Sequence, residues 1–271
     1  MSTEPSLFEQ KSTTGVSLTR DEWLRLVFGS EIVFIHRGHE FHFVPEGVNP
    51  DPSYIVGKIG RKIVLRENAP PNANFIPIES EHWRASRMIL DPSAHEDGQK
   101  LAFEIIGAIG APLPIVKSLA NHLNESREHP YIVEANAIID PQSFWDFEKQ
   151  NRGQITSITF ELIAPNMWGS VDELHKELIS VRDTEKAREM IVTLKNEDGL
   201  KLDSDSRIEQ TLNYAMKGGG SVKARTKNKK KRYDSNNNSK QILVENDNFV
   251  EVNPISSIIS LSISVLFGNK K

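Results

Sequence analysis

Eight cationic side chains fall between residues 217 and 232 with no acidic residue among them: Lys217, Lys223, Arg225, Lys227, Lys229, Lys230, Lys231 and Arg232. Cations at this density meet phosphates, and each phosphate they neutralise releases counterions, so binding of this kind weakens steeply with salt. The run contains Gly218, Gly219 and Gly220, where backbone N–H groups can approach an anion closely. It ends at Tyr233, a residue able to stack on a base, and at three asparagines that can donate to phosphate. Lys217, Gly219, Gly220, Lys223, Arg225, Lys227, Lys229, Lys230, Lys231, Arg232 and Tyr233 therefore form the candidate nucleic-acid-binding set. The competing readings are a solvated loop that keeps the protein in solution, and an acidic docking partner.

A second constellation is HRGHEFH, with His36, His39 and His42 in seven residues. Imidazole is the commonest nitrogen ligand for metals. A hairpin turning at Arg37 and Gly38 would not aim all three rings to one face, so no metal site is expected. Carboxylates offer no nuclease-like spacing: Glu189 and Lys195 are too far apart, and Glu148 with Lys149 or Glu185 with Lys186 read as helix surface. Asp203 and Asp205 read as helix-capping. Gly107 and Gly110 make no nucleotide fingerprint, and no nucleophile elbow is present. No cofactor is expected and no catalytic residue is assigned.

The 271 residues include 33 Lys and Arg against 37 Asp and Glu, a net charge of −4. The basic run contributes +8 of that total, so the rest of the chain carries −12. This asymmetry speaks about partners and not about fold. Cysteine is absent, which excludes disulfides, thiolate metal sites and cysteine nucleophiles. The apolar tail at 255–267 is short of the about 20 residues a membrane helix needs. A cytoplasmic protein without membrane insertion is the expectation.

The elements that would position these residues read as α+β, with mixed or antiparallel sheets, packed helices and β-hairpins in the N-terminal half. Residues 1–16 read as a disordered lead-in, 17–150 as an N-terminal α+β region, and 151–271 as a C-terminal α+β region. The last holds a basic loop at 217–240 and an apolar tail at 254–267. Thr19 and Glu22 form a capping box before Trp23 and Leu24. IVFIHRGHEFHFVP is a hairpin about Arg37 and Gly38, and residues 54–64 repeat the strand pattern. A proline-rich connection follows at 67–79. Residues 100–109 fit a strand or a short helix, 114–123 a helix, 131–139 a strand and 143–149 a short helix.

The strongest strand is 155–164, with Ile158, Phe160 and Leu162 on one face and Ile155, Ser157, Thr159 and Glu161 on the other. Ser170 with Glu173, and Ser206 with Glu209, open two further helices, the second stopping at the three glycines. Residues 188–195 and 200–202 flank a hairpin turn at Asn196 to Gly199, and 241–245 reads as a strand. The tail fits a helix capped by Asn253 and Pro254, the favoured reading, or a strand of isoleucines alternating with serines.

One stretch carries a resemblance. A strand ending in Phe160 to Asn166, a capped helix, a turn with Asn196, Asp198 and Gly199, then a helix with Tyr214 running into Gly218 to Gly220 and a basic stretch follow in order. Over roughly residues 155–235 this resembles an uncharacterised family of prophage and mobile-element proteins. That family is in turn similar to the DNA-binding component of Rex-type phage-exclusion systems. The resemblance implies a cytoplasmic bacterial protein of anti-phage defence, α+β in fold and dimeric, binding DNA without strong sequence preference, with a second protein of a defence operon as a further partner. Double-stranded DNA is the expected ligand. The alternatives are a metal-dependent nuclease or toxin, and an interaction subunit docking through its apolar tail.

Overall fold

A computed structural model describes residues 18–47, 51–95, 98–125, 131–163, 173–187, 189–202, 207–228 and 230–241. The fold is α+β, and both sheets are wholly antiparallel. The described chain forms two compact units, one of residues 18–94 and 99–134, the other of 135–241 with the short segment 95–98. Among the described residues no helix is long and apolar enough to cross a membrane.

The first unit is a meander of five strands in sequence order: β1 (Ile32–His36), β2 (His39–Pro45), β3 (Ile55–Asn68), β4 (Pro77–Asp91) and β5 (Lys100–Phe103). Period-two alternation sends Phe34, Phe41, Phe43 and Ile59 to one face, where Phe34 lies opposite Phe41 and Phe43 opposite Ile59. Trp23, Leu24 and Phe28, from α1 (Arg20–Val27) and the residue that ends it, join that core with Ile115 and Leu119 of α2 (Pro112–Glu125). Each large apolar side chain so buried contributes about 1.5–3 kcal/mol. The expected capping box is present: Glu22 N donates to Thr19 Oγ1, and Thr19 N donates to Glu22 Oε2 at 2.8 Å.

The β1–β2 turn has positive φ at both central residues, Arg37 at 50° and Gly38 at 77°, which matches the right-handed twist of the strands. Glycine does this freely, whereas an arginine in the left-handed region costs about 1–2 kcal/mol. The proline-rich connection is the tip of a long hairpin. β3 and β4 stay paired out to Asn68 opposite Pro77, while β2 follows β3 only as far as Arg61. The projecting ribbon is held by cross-strand ion pairs, Lys62 with Glu81 at 2.6 Å and Arg66 with Glu79 at 2.7 Å.

Residues 131–139 are not a strand. Their backbone groups go elsewhere: Val133 N donates to Asn124 Oδ1, Asn124 Nδ2 donates to Val133 O, and only Ile139 makes a bridge, to Ser239. An apolar alternation without a neighbouring edge cannot form a ladder.

The second unit has four strands in the order β7-β6-β8-β9: β6 (Ile155–Ile163), β7 (Glu189–Lys195), β8 (Gly220–Thr226) and β9 (Arg232–Asp234). Helix α3 (Pro141–Gln150) is capped by Asp140 and packs here, and α4 (Glu173–Glu185) and α5 (Arg207–Tyr214) belong to the same unit. Ile155 departs from the expected alternation. An irregularity between Ile155 and Ser157 turns it to the buried side with Ile158, Phe160 and Leu162. The turn at Asn196 to Gly199 forms, with Asn196 bonding Asp198 N and Gly199 O, but residues 200–202 do not return as a strand. Leu200 N donates instead to Ile155 O at 2.7 Å. The caps expected at Ser170 and Ser206, the strand beyond Gln241 and the apolar tail lie outside the described residues.

The three glycines turn a helix into a strand. After α5 one wider turn, Ala215–Gly219, leads through Gly218 at φ 103° into β8 at Gly220 with φ 155°. The Tyr214 ring lies over Gly219, and the Tyr214 hydroxyl donates to Ile163 O. A Cβ on Gly220 would fall inside the van der Waals shell of the Glu161 carbonyl oxygen. Gly220→Ala should therefore lose about 3 kcal/mol or more of unfolding free energy. Urea denaturation followed by tryptophan fluorescence measures it, and a loss under about 1 kcal/mol would mean that the approach relaxes easily.

Candidate nucleic-acid interface

The basic segment is a β-hairpin, which corrects the loop expected at 217–240. Strand β8, a connection that includes residues 227–228 and 230–231, strand β9 and a short 3-10 turn (Ser235–Asn237) account for most of it. Buried Thr226 staples the turn by donating to Asn228 O at 2.7 Å and Lys231 O at 3.0 Å. Lys227 N donates to Gln154 O, tying the turn to the start of β6.

Strand parity sorts the candidate residues. Val222, Ala224 and Tyr233 share the buried face with Ile158, Phe160 and Leu162. Tyr233 is 5% exposed, packs edge-on against Phe144 at 5.4 Å and beside Phe147 at 5.6 Å, and shares a 2.8 Å hydrogen bond with Ser143 Oγ. Burial, above all, raises its hydroxyl pKa. The expected stacking residue is a core residue. Gly219 and Gly220, read as an anion cradle, serve the close packing described above. Lys217 is exposed beside them.

The opposite, solvent-facing side of the sheet brings the cations together in rows. Lys195, Ser157, Arg225 and Arg232 are register partners across β7, β6, β8 and β9. The next row is Thr193, Thr159, Lys223 and Asp234, with Thr193 and Thr159 sharing a 3.1 Å hydroxyl contact. Lys223 pairs with Glu161, whose other oxygen accepts from Ser221 Oγ at 2.6 Å. The first row has no such partner. Among the described residues, no carboxylate is paired with Arg225, Lys227, Lys230, Lys231 or Arg232. Lys229 lies outside the described residues. Lys195 lies outside the basic run in the sequence, and only strand pairing brings it into this row.

The histidines separate as their parity requires. His36 and His39 are opposite each other on the face that bears Phe34 and Phe41, and His42 lies on the other face. His42 Nδ1 is 2.7 Å from Glu31 Oε1 and its Nε2 is 2.9 Å from Glu40 Oε1. Among the described residues no three His, Asp or Glu side chains are grouped to hold a metal.

Comparisons with protein-family models, with curated proteins and with solved structures find no match.

The hydrogen bond to Glu31, aided by Glu40, raises the His42 pKa above its ordinary 6.5 against a smaller opposing effect of burial. The folded state therefore binds this proton more tightly than the unfolded chain. The resulting stability is complete below about pH 6.5 and is lost as pH rises through the higher folded value. Both carboxylates are more than half exposed, so the effect is under about 1 kcal/mol. His36 acts in the opposite sense, because burial lowers its pKa. Urea midpoints from pH 5.5 to 8.5 should thus differ between the protein and a Glu31→Gln, Glu40→Gln variant chiefly at the acidic end. Equal midpoints throughout would remove the ion pairs from the account.

Proposed function

We propose that the protein binds nucleic acid, double-stranded DNA foremost, by laying the open face of its four-stranded sheet against the phosphate backbone. The observation that carries this reading is Arg225 directly opposite Arg232, with no carboxylate paired to either among the described residues. Like charges facing each other across two strands destabilise a sheet by about 0.2–1 kcal/mol. A polyanion turns that repulsion into attraction.

The scale fits as well. From Lys195 on β7 to Arg232 on β9 is three interstrand spacings, about 14 Å, comparable with the about 12 Å width of a major groove flanked by phosphates. Ser157 and Thr159 place hydroxyls between the cations, where they can donate to phosphate oxygens. With Tyr233 in the core, the contact is phosphate and sugar without base stacking, hence affinity with little sequence preference.

The resemblance over residues 155–235 supports placing this activity in a bacterial anti-phage system, as an accessory or sensor and not as a catalyst. The dimer it implies would present two such faces and raise avidity without a new contact.

Fluorescence anisotropy with a labelled duplex over a salt series tests the reading. Binding should fall with salt at a log–log slope of about −0.9 for each phosphate engaged. Arg225→Gln with Arg232→Gln should flatten that slope by about 2 while unfolding at a higher urea concentration, since the repulsion is gone. Duplex binding indifferent to both substitutions, or no binding at low salt, would overturn the proposal.

A further inference from the structure

The first unit contains a second cationic feature, of a different kind. A cavity of about 230 Å³ lies between the β1–β2 turn, β3 and the start of α2. His36, Arg37, His39 and Arg61 line it together with Phe41 and Gly110. Four basic groups thus converge on one small space, three from the β1–β2 hairpin and one from β3. Among the described residues, none of the four has an ion-pair partner.

The groups are held in place by neutral contacts. Arg61 Nε and Nη2 donate to Ala108 O at 3.2 and 2.8 Å, and its guanidinium sits 5.6 Å from the Phe41 ring centroid. A carbonyl fixes the guanidinium without cancelling its charge, and three of its five N–H donors stay unused. The His36 ring stands edge-on to Phe41 at 5.5 Å, and its Nδ1 is 2.8 Å from Ser118 Oγ, leaving Nε2 uncommitted. Pro112 and Pro114 lack N–H donors, so the start of α2 adds its dipole and few hydrogen bonds. The side chains carry the site.

Arg37 supplies an independent pointer. It occupies a left-handed turn position that asparagine, aspartate or glycine fills more easily, and strained residues collect where a function holds them. Here the strained residue is one of those that line the cavity.

From this convergence we infer that the cavity binds a phosphoryl dianion, either free phosphate or the phosphate group of a small metabolite. Paired guanidinium groups match phosphate oxygens through charge-assisted hydrogen bonds. The volume falls below the about 300–1,000 Å³ of sites for drug-sized ligands. That excludes a duplex and leaves room for a phosphate with a small organic group against Phe41 and Ile109. The electrostatics agree. His36 is driven below its ordinary pKa by burial first and then by Arg37, Arg61 and His39. Among the described residues no carboxylate opposes them, and the residues that α2 and the 106–111 loop bring to the cavity are not ionisable. A bound dianion would return the His36 proton.

The test uses the full chain and follows the imidazole C–H resonances of His36 and His39 by NMR. The probes are inorganic phosphate, AMP and sulfate, against chloride at matched ionic strength. The expected result is saturable movement of both histidines with phosphate or AMP, and a His36 titration shifted to higher pH. Sulfate, which does not itself titrate near neutrality, should bind more tightly as pH falls below 6.5 and His36 takes up its proton. Tighter binding of phosphate identifies the free ion as the ligand, and tighter binding of AMP a phosphate ester; both support the site.

Arg37→Asn provides a variant that keeps the turn, because asparagine suits its left-handed conformation. It should melt about 2–4 °C higher and bind phosphate about tenfold or more weakly. Chloride reproducing the phosphate shifts, no saturable shift, or Arg37→Asn binding as tightly as the parent would each overturn the inference. Duplex binding by the sheet face of the second unit is read in a separate experiment and stands or falls independently.

Discussion

The second unit depends on a backbone approach that only glycine permits. Gly220 passes so close to the Glu161 carbonyl that any side chain there would collide with it, and β8 takes its register on β6 from that point. Everything β8 carries follows from this register. Val222 and Ala224 enter the core, while Lys223 and Arg225 stand on the open face. A slip of one residue would exchange them, putting Arg225 inside and Ala224 out. The cationic row is therefore set by steric fit at a position with no charge.

Features encoded by near neighbours were legible in the sequence. The Thr19–Glu22 box, the turn at Arg37 and Gly38, the short helix after Asp140 and the alternation of β6 from Ser157 onward all rest on local pattern. Long-range partners decided the rest. Tyr233 reads as a stacking residue until Phe144, Phe147 and Ser143, some 90 positions earlier, claim it for the core. The three glycines read as an anion cradle because the sequence does not show which strand they must approach. Residues 131–139 have the composition of a strand, but Asn124 takes the Val133 backbone groups. The opposition of Arg225 to Arg232 exists only as a register between strands. The histidine run drew attention to metals, whereas the residue that changes its meaning is Arg61, brought beside Phe41 by β2–β3 pairing.

Charges elsewhere in the described chain show what satisfied pairing looks like. Lys62 meets Glu81, Arg66 meets Glu79, and Lys223 meets Glu161, each across neighbouring strands. His42 lies between two carboxylates and holds its proton more tightly for it. At each of these places a cation finds a carboxylate on the neighbouring strand or turn. The exceptions are consequently informative. Arg225 and Arg232 face each other, and His36 loses proton affinity to positive neighbours. Both arrangements destabilise the free protein slightly, and an anion bound at either place would relieve it.

The two exceptions differ in the shape of ligand they admit. On the sheet face, cations stand on three of the four strands, the hydroxyls of β6 lie between them, and Lys195, Arg225 and Arg232 are exposed. That geometry suits a ligand whose charge repeats along a line, and it grips without enclosing. In the cavity, guanidinium and imidazole groups converge on one volume with an aromatic wall, which suits a single compact charge with an organic remainder. A mobile lysine tail would attract any polyanion equally well without these constraints. The strain at Arg37 and the opposed arginines of β8 and β9 are costs of geometry, and solubility alone requires neither. It is the persistence of position against those costs, more than the number of positive charges, that supports reading both places as anion sites.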